Sequence, residues 1–157
     1  EIHSGELLHQ QELARELDVA HRTVVRWLEV LAACFITLRI DPYDVAFSRR
    51  LVRRPKLHVL GSSNSFETEV VTEIYRNARH AGLSPGLHYW RDSNGLEVSL
   101  IVEVDAGSTP VPVGITPVPN PTAESKLHRW MELAGVSPPP TIGREPAFLE
   151  RRGGRVL

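Results

Sequence analysis

The chain has 157 residues, 41% hydrophobic and 24% charged, with Lys+Arg 18 against Asp+Glu 19. That balance belongs to a globular chain of one domain or two small ones and excludes a disordered tail. The longest nearly apolar stretch, Val30 to Ile36, covers seven residues where a membrane span needs roughly 20, and no basic-then-apolar leader opens the chain, so no membrane partner is expected.

A single cysteine, Cys34, excludes an internal disulfide and a Cys-based zinc site and fits a reducing compartment, so the cytoplasm is the expected location. Within an apolar run, Cys34 reads as a buried small hydrophobe. The opening at Glu1 leads us to expect a piece of something larger. Charge is uneven along the chain. From His21 to His58, Arg22, Arg26, Arg39, Arg49, Arg50, Arg53, Arg54 and Lys56 face only Glu29, Asp41 and Asp44, a net of +5, whereas residues 61–157 carry nine bases against eleven acids. The first stretch is therefore a candidate for binding a polyanion.

In chain order, Leu13, Ala14 and Leu17, then Val24, Leu28 and Leu31 recur at the spacing of two amphipathic helices. The break at Asp18-Val19-Ala20 is short enough for the tight turn of a helix-turn-helix, with Val19 plugging the angle. The second helix, about His21 to Ala32, turns Val24, Leu28 and Leu31 inward and leaves His21, Arg22, Thr23 and Arg26 facing out. Ala20 precedes it as a poor N-cap, costing ~1 kcal/mol relative to Ser, Thr or Asp. Phe35 to Ile40 alternates as a strand, Asp41-Pro42-Tyr43-Asp44 is turn chemistry, and Lys56 to Leu60 is a second strand. Two angled helices and such a hairpin make a winged helix, with Arg49, Arg50, Arg53 and Arg54 on or beside the wing. Trp27 is read either as stacking on a base or as packed against the wing.

Phe66, Val70, Ile74 and Ala78 then fall on one helical face, predicting a helix on a sheet. Leu87 to Arg91, the turn Asp92-Ser93-Asn94-Gly95 and Leu96 to Val104 predict a hairpin whose Asn-Gly pair supplies positive φ. Of Tyr89 and Trp90, adjacent on its first strand, one is expected in the core and one at the surface. A third strand, Val111 to Thr116, carries Pro112 and so needs a position without a ladder donor there. Prolines 117, 119 and 121 lead into a helix from about Ala123 to Ala134, and Pro138 to Pro140 precede a closing strand.

Several of these residues resemble a known family. Gln11-Glu12-Leu13-Ala14-Arg15-Glu16-Leu17-Asp18-Val19, His21 to Leu31, Pro42-Tyr43, Arg50-Leu51-Val52, Pro55-Lys56-Leu57, Phe66-Glu67 with Val70 and Glu73, and Tyr89-Trp90-Arg91-Asp92 with Gly95 and Glu97-Val98 resemble the C-terminal region of prokaryotic AAA+ ATPases carrying a winged helix and a restriction-endonuclease-like domain of unknown function. The resemblance implies an α/β fold class, α+β in arrangement. It implies a winged helix-turn-helix over residues 1–60 and a PD-(D/E)xK-type α/β domain, catalytically degenerate, over 65–157. It also implies an ATPase domain outside this sequence, to which ATP and Mg would belong; no P-loop occurs here, so no cofactor is expected in this chain. Intact family members carry Glu-Val-Asp on the second strand of the nuclease-like sheet and Glu-x-Lys on the third. The equivalent positions here are Ser99, Gly114 and Thr116, which supply no anionic oxygen for Mg²⁺. Glu67 and Glu97 survive, read as isolated carboxylates on different elements, structural or solvent-facing. Family members also carry an extra helical stretch where this chain has only Gly61 to Ser65, and the end at Arg155-Val156-Leu157 resembles the family's last strand.

The expected nucleic-acid contacts are Arg22, Thr23 and Arg26 in a groove and Arg49, Arg50, Arg53, Arg54 and Lys56 on phosphates. No catalytic or metal-binding set is expected. The histidines His3, His9, His21, His58, His80, His88 and His128 lack ligand spacing and read as scattered surface residues, and no Gly-x-Ser-x-Gly elbow occurs. The expected partners are DNA, the ATPase domain of the longer protein and a second copy in a homo-oligomer. The alternatives left open are a protein-docking module without DNA binding, a divergent metal-dependent nuclease using Glu67 and Glu97, and a free-standing transcription regulator.

Overall fold

The computed structural model of the chain describes residues 4–43, 51–62, 65–104, 110–115 and 121–136. Arg49, Arg50, Thr116 and the closing strand of the sequence reading lie outside these residues. The described elements are β1 (Glu6–Leu7), α1 (Gln10–Glu16), α2 (His21–Ala33), β2 (Thr37–Pro42), β3 (Lys56–Val59), α3 (Phe66–His80), β4 (Gly86–Arg91), β5 (Glu97–Glu103), β6 (Val111–Val113) and α4 (Pro121–Ala134). The protein is therefore mixed α/β, with one six-stranded sheet ordered β1-β3-β2-β4-β5-β6.

Both early helices end without glycine. Asp18 adopts φ 52 and Phe35 φ 55, so the amide of Val19 reaches back to the carbonyl of Ala14 at 3.0 Å and that of Ile36 to Leu31 at 2.9 Å. Those bonds satisfy carbonyls at each helix end, as a left-handed cap does. Phe35 in this conformation delays the strand, which starts at Thr37 instead of Phe35. Cys34 is exposed, not buried, because α2 carries Val24 inward and its last turn extends beyond the sheet-facing stripe.

β2 joins the two parts of the chain. Its first half pairs antiparallel with β3, from Thr37 opposite Val59 to Ile40 opposite Lys56. Its last residues pair parallel with β4, Asp41 opposite His88 and Pro42 opposite Tyr89. One continuous sheet thus contains strands from both segments that the sequence reading separates at 60 and 65. The amide of Val52 also bonds to the carbonyl of Arg91 at 2.9 Å, so the approach to β3 runs along β4. At the far edge lies β6, with Pro112 opposite Ile101, where a missing donor is tolerated.

The pleat places neighbouring side chains on opposite faces, and a register irregularity between His88 and Trp90 puts Val98 and Leu100, two residues apart on β5, in different cores. Tyr89 and Leu100 join Ile40 and α3's Val71 in one core, while Trp90, Val98 and Ile101 join Trp130 and Met131 of α4 in the other. Helices therefore cover both faces. Tyr89 and Trp90 are both buried, which corrects the expectation that one is surface: α4 covers the face that would otherwise be wet. At Gly86 the packing is tight, since a Cβ there would meet His88 Nε2 at 3.0 Å. Ile40, fully buried where β2 changes partners, is the most sensitive core position of the early half. Ile40→Ala should cost ~2–5 kcal/mol, read as a lower urea midpoint at unchanged slope.

Candidate nucleic-acid interface

The amide of Leu8 bonds to the carbonyl of Pro55 at 2.7 Å, which draws the start of α1 against the segment leading into β3. Between α1, the first residue of α2, β2 and that segment opens a cleft of about 600 Å³. Arg15, Arg39, Arg53 and Arg54 line it against the single carboxylate of Glu12, with His9 and His21 at its rim. Arg39 is held on edge by Asp41, donating from Nε at 3.0 Å and from a terminal nitrogen at 2.7 Å to one oxygen. Arg54 lies 3.2 Å from the His9 ring, and His9 is 3.4 Å from Glu12. Arg15 and Arg53 have no acidic partner among the described residues.

α2 presents the predicted residues beside this cleft. Arg22 and Arg26 are exposed and Thr23 is half-buried. As expected, Ala20 caps the helix without a side-chain hydrogen bond, and no acidic residue sits in the first turn. Trp27 is 48% exposed, so about half of its surface is left to solvent. Arg53 and Arg54 are exposed and face the cleft. The sequence reading missed Arg15 and His9 because they precede the basic stretch. Their only signal was the polar face of α1, and it takes the pairing of β1 with β3 to bring them to Arg53 and Arg54.

Lys56 is the clearest correction. It is 3% exposed, and its ammonium donates to Glu67 Oε1 at 2.8 Å and Glu97 Oε1 at 2.5 Å. It also lies 5.4 Å from the centre of the Tyr89 ring, within cation–π range. A strand residue facing the core under α3 cannot reach a phosphate. Nor are Glu67 and Glu97 isolated: Lys56 joins them across two elements, and Arg91 approaches the second oxygen of Glu97 at 3.5 Å. Ser99 and Gly114 are half-buried nearby in sequence, on β5 and just after β6. The space between the two carboxylates is filled by an ammonium, which satisfies the same anionic oxygens a divalent cation would require.

His58, read as a surface histidine, is fully buried. The amide of Val59 donates to Ser4 Oγ at 2.7 Å, Ser4 Oγ lies 2.9 Å from Thr68 Oγ1, and Thr68 Oγ1 lies 3.0 Å from His58 Nδ1. These contacts give His58 Nδ1 a hydrogen-bond partner in Thr68 Oγ1, which can donate to it or accept from it according to the ring tautomer. Nε2 is buried without a hydrogen-bond partner, 3.9 Å from Glu67. Burial, and secondarily the charge of Lys56, bring the His58 pKa down to about 4. Burial also pushes the Tyr89 phenol up to about 12, helped by the negative charge of Glu97. Its hydroxyl donates to the carbonyls of Val52 and Arg54, fixing the backbone that carries Arg53 and Arg54. Among the described residues no group of three or more His, Cys, Asp or Glu converges as a metal site, and no helix is long and apolar enough to cross a membrane.

A domain family described as "Domain of unknown function (DUF8612)" matches residues 2–63, the part that holds the cleft, α2 and Lys56. The chain is 29% identical over 122 residues to an uncharacterized protein of Mycobacterium bovis and, at the same level, to one of Mycobacterium tuberculosis; each match covers 64% of this chain. It spans about a quarter, 26%, of the length of these relatives. No solved structure gives a significant match.

Two predictions follow from the buried polar group. Lys56→Ala strands two carboxylates and should destabilise by about 3 kcal/mol, whereas Lys56→Met, which fills the space, should still strand them; loss of Glu67 and Glu97 together in a Lys56→Met background should restore much of the urea midpoint. For His58, the unfolded side chain titrates near 6.5 and the folded one near 4. Below pH 6.5 the unfolded state therefore binds a proton that the folded state refuses. Stability should fall by up to ~3 kcal/mol as pH drops from 7 to 4, and His58→Gln should flatten that part of the urea-midpoint profile.

Proposed function

We propose that this chain is the non-catalytic C-terminal accessory region of a prokaryotic P-loop AAA+ ATPase, in which a winged helix contacts DNA and a nuclease-like fold without its metal ligands serves as a binding or oligomerisation platform. The observation that carries the reading is the cationic face formed by α2 and the cleft. Arg22 and Arg26 project from the second of two angled helices, and Arg53 and Arg54 stand beside an antiparallel hairpin, the placement a winged helix uses for groove and phosphate contacts. The sequence reading adds Arg49 and Arg50, which lie outside the described residues. The order α3, β4, β5, β6, α4, with helices on both faces, is compatible with the nuclease-like reading. In that fold Lys56 occupies the space between the surviving carboxylates, which disfavours the divergent-nuclease alternative. The ATPase assignment rests on the sequence resemblance, and the greater length of the mycobacterial relatives leaves room for such a domain in them.

A second reading, a protein-docking module, is favoured by the apolar residues exposed around α2: Trp27 at 48%, Val30 at 55% and Phe35 at 61%. Uncovered side chains of this kind mark contact surfaces when they lie together.

Fluorescence anisotropy of a labelled duplex across a salt series separates the two. The DNA reading expects log affinity to fall linearly with log salt, and the Arg22→Ala, Arg26→Ala double variant to reduce that slope by about 2. Absence of duplex binding at low salt assigns the cationic face to protein docking instead.

A further inference from the structure

A groove-reading helix and a wing use convex surface, yet Arg53 and Arg54 here also line a concavity together with Arg15 and Arg39, which neither element supplies. The cleft's volume of about 600 Å³ lies within the ~300–1,000 Å³ of small-ligand sites, more room than a lone anion requires. Its lining has the matching division of chemistry. Arg15, Arg39, Arg53 and Arg54 form the charged wall, while Leu8 and Pro55 supply apolar surface. Among the described residues two acids offset the four positive charges: Glu12, drawn toward His9, and Asp41, paired with Arg39. Four arginines against these two acids leave a net of two positive charges, of which a carboxylate ligand would neutralise only one. A phosphoryl group brings up to two charges and three acceptor oxygens suited to the guanidinium fork.

Arg39 is oriented in advance by its two bonds to one oxygen of Asp41, and the backbone bearing Arg53 and Arg54 is clamped by the Tyr89 hydroxyl through the carbonyls of Val52 and Arg54. Such anchoring lowers the ordering cost of binding. At the rim, α2 begins at His21 with no side-chain cap and no acid in its first turn, so nothing there repels an anion.

We propose that this cleft is a seat for the phosphoryl group of a nucleotide, held by Arg15, Arg39, Arg53 and Arg54, with the sugar or base against Leu8 and Pro55. The inference deepens the DNA-binding reading if the nucleotide is the end of a strand, and stands apart from it if the nucleotide is free.

The test uses the 157-residue chain and two probes. Inorganic pyrophosphate titrated calorimetrically should bind, with Arg15→Ala, Arg39→Ala weakening it at least tenfold and Arg22→Ala, Arg26→Ala changing it less than twofold. Both arginine pairs contain exposed residues, and retained urea midpoints establish that each variant is folded. Single-stranded oligonucleotides with and without a 5′-phosphate then distinguish the sources. A preference for the phosphorylated strand that disappears in the Arg15, Arg39 variant assigns the seat to strand ends; equal binding of the two strands alongside pyrophosphate binding assigns it to free nucleotides. Failure of pyrophosphate to bind at millimolar concentration, or binding indifferent to the Arg15, Arg39 variant, overturns the proposal. Duplex binding that persists in that event leaves the groove reading intact, while pyrophosphate binding without duplex binding removes the groove reading and keeps the seat.

Discussion

The buried ammonium of Lys56 is the constraint from which the arrangement of this protein follows. A lysine head group taken almost wholly out of water is tolerated only where anionic oxygens replace its hydration, and here Glu67 of α3 and Glu97 of β5 do so at 2.8 and 2.5 Å. The two glutamates remain partly wet, 21% and 24% exposed, so their desolvation cost is smaller than that of the lysine. β3, α3 and β5 are therefore held in one relative placement. The parallel pairing of β2 with β4 achieves the same union through the backbone. β2 and β3 are thus tied to the later strands both by side-chain ion pairs and by backbone pairing.

That arrangement also sorts the basic residues. A net of +5 in one stretch suggests a uniform polyanion surface, but β3 alternates its side chains between faces. Lys56 is spent on an internal ion pair, while Arg53 and Arg54, which precede the strand, remain outside. Tyr89 links the two outcomes: its ring lies beside the Lys56 ammonium and its hydroxyl holds the carbonyls of Val52 and Arg54. The same aromatic residue that closes the core around a buried charge thus aims the backbone carrying the surface charges. A change at Tyr89 would be felt in the core and in the cleft together.

Local periodicity made most elements legible. α1, α2, α3, the β4–β5 hairpin with its Asp92–Gly95 turn, and α4 lie close to where apolar spacing and turn residues place them, whereas Asp41 and Pro42, read as a turn, extend β2 because they pair with β4. What the sequence did not reveal depends on contacts between distant residues. Asp18 and Phe35 end their helices in a conformation normally taken by glycine, which no composition rule singles out. Lys56 looks like the last member of a basic run, since its partners lie 11 and 41 residues away. The cleft was half visible. Arg53 and Arg54 stood out by clustering, but Arg15 joins them only because β1 lies against β3 and Leu8 bonds to Pro55. His58 escaped notice because a lone histidine carries no periodic signal. Its burial is a consequence of strand register and of the hydroxyl relay from Ser4 and Thr68.

The loss of metal ligands and the presence of Lys56 are physically connected under the nuclease-like reading. Two carboxylates facing one space repel each other and require a cation between them. A protein that dispenses with the metal must neutralise them, remove them or let them drift into solvent. Here the neutralising charge comes from the strand that also belongs to the helical half, so the space becomes a joint between the halves. In that role an ammonium has an advantage over a bound ion, because it is covalently supplied and its charge does not depend on metal concentration. The joint then leaves the cationic cleft as the open, polar concavity beside α2, and ligand chemistry in this chain is to be sought there and not between Glu67 and Glu97.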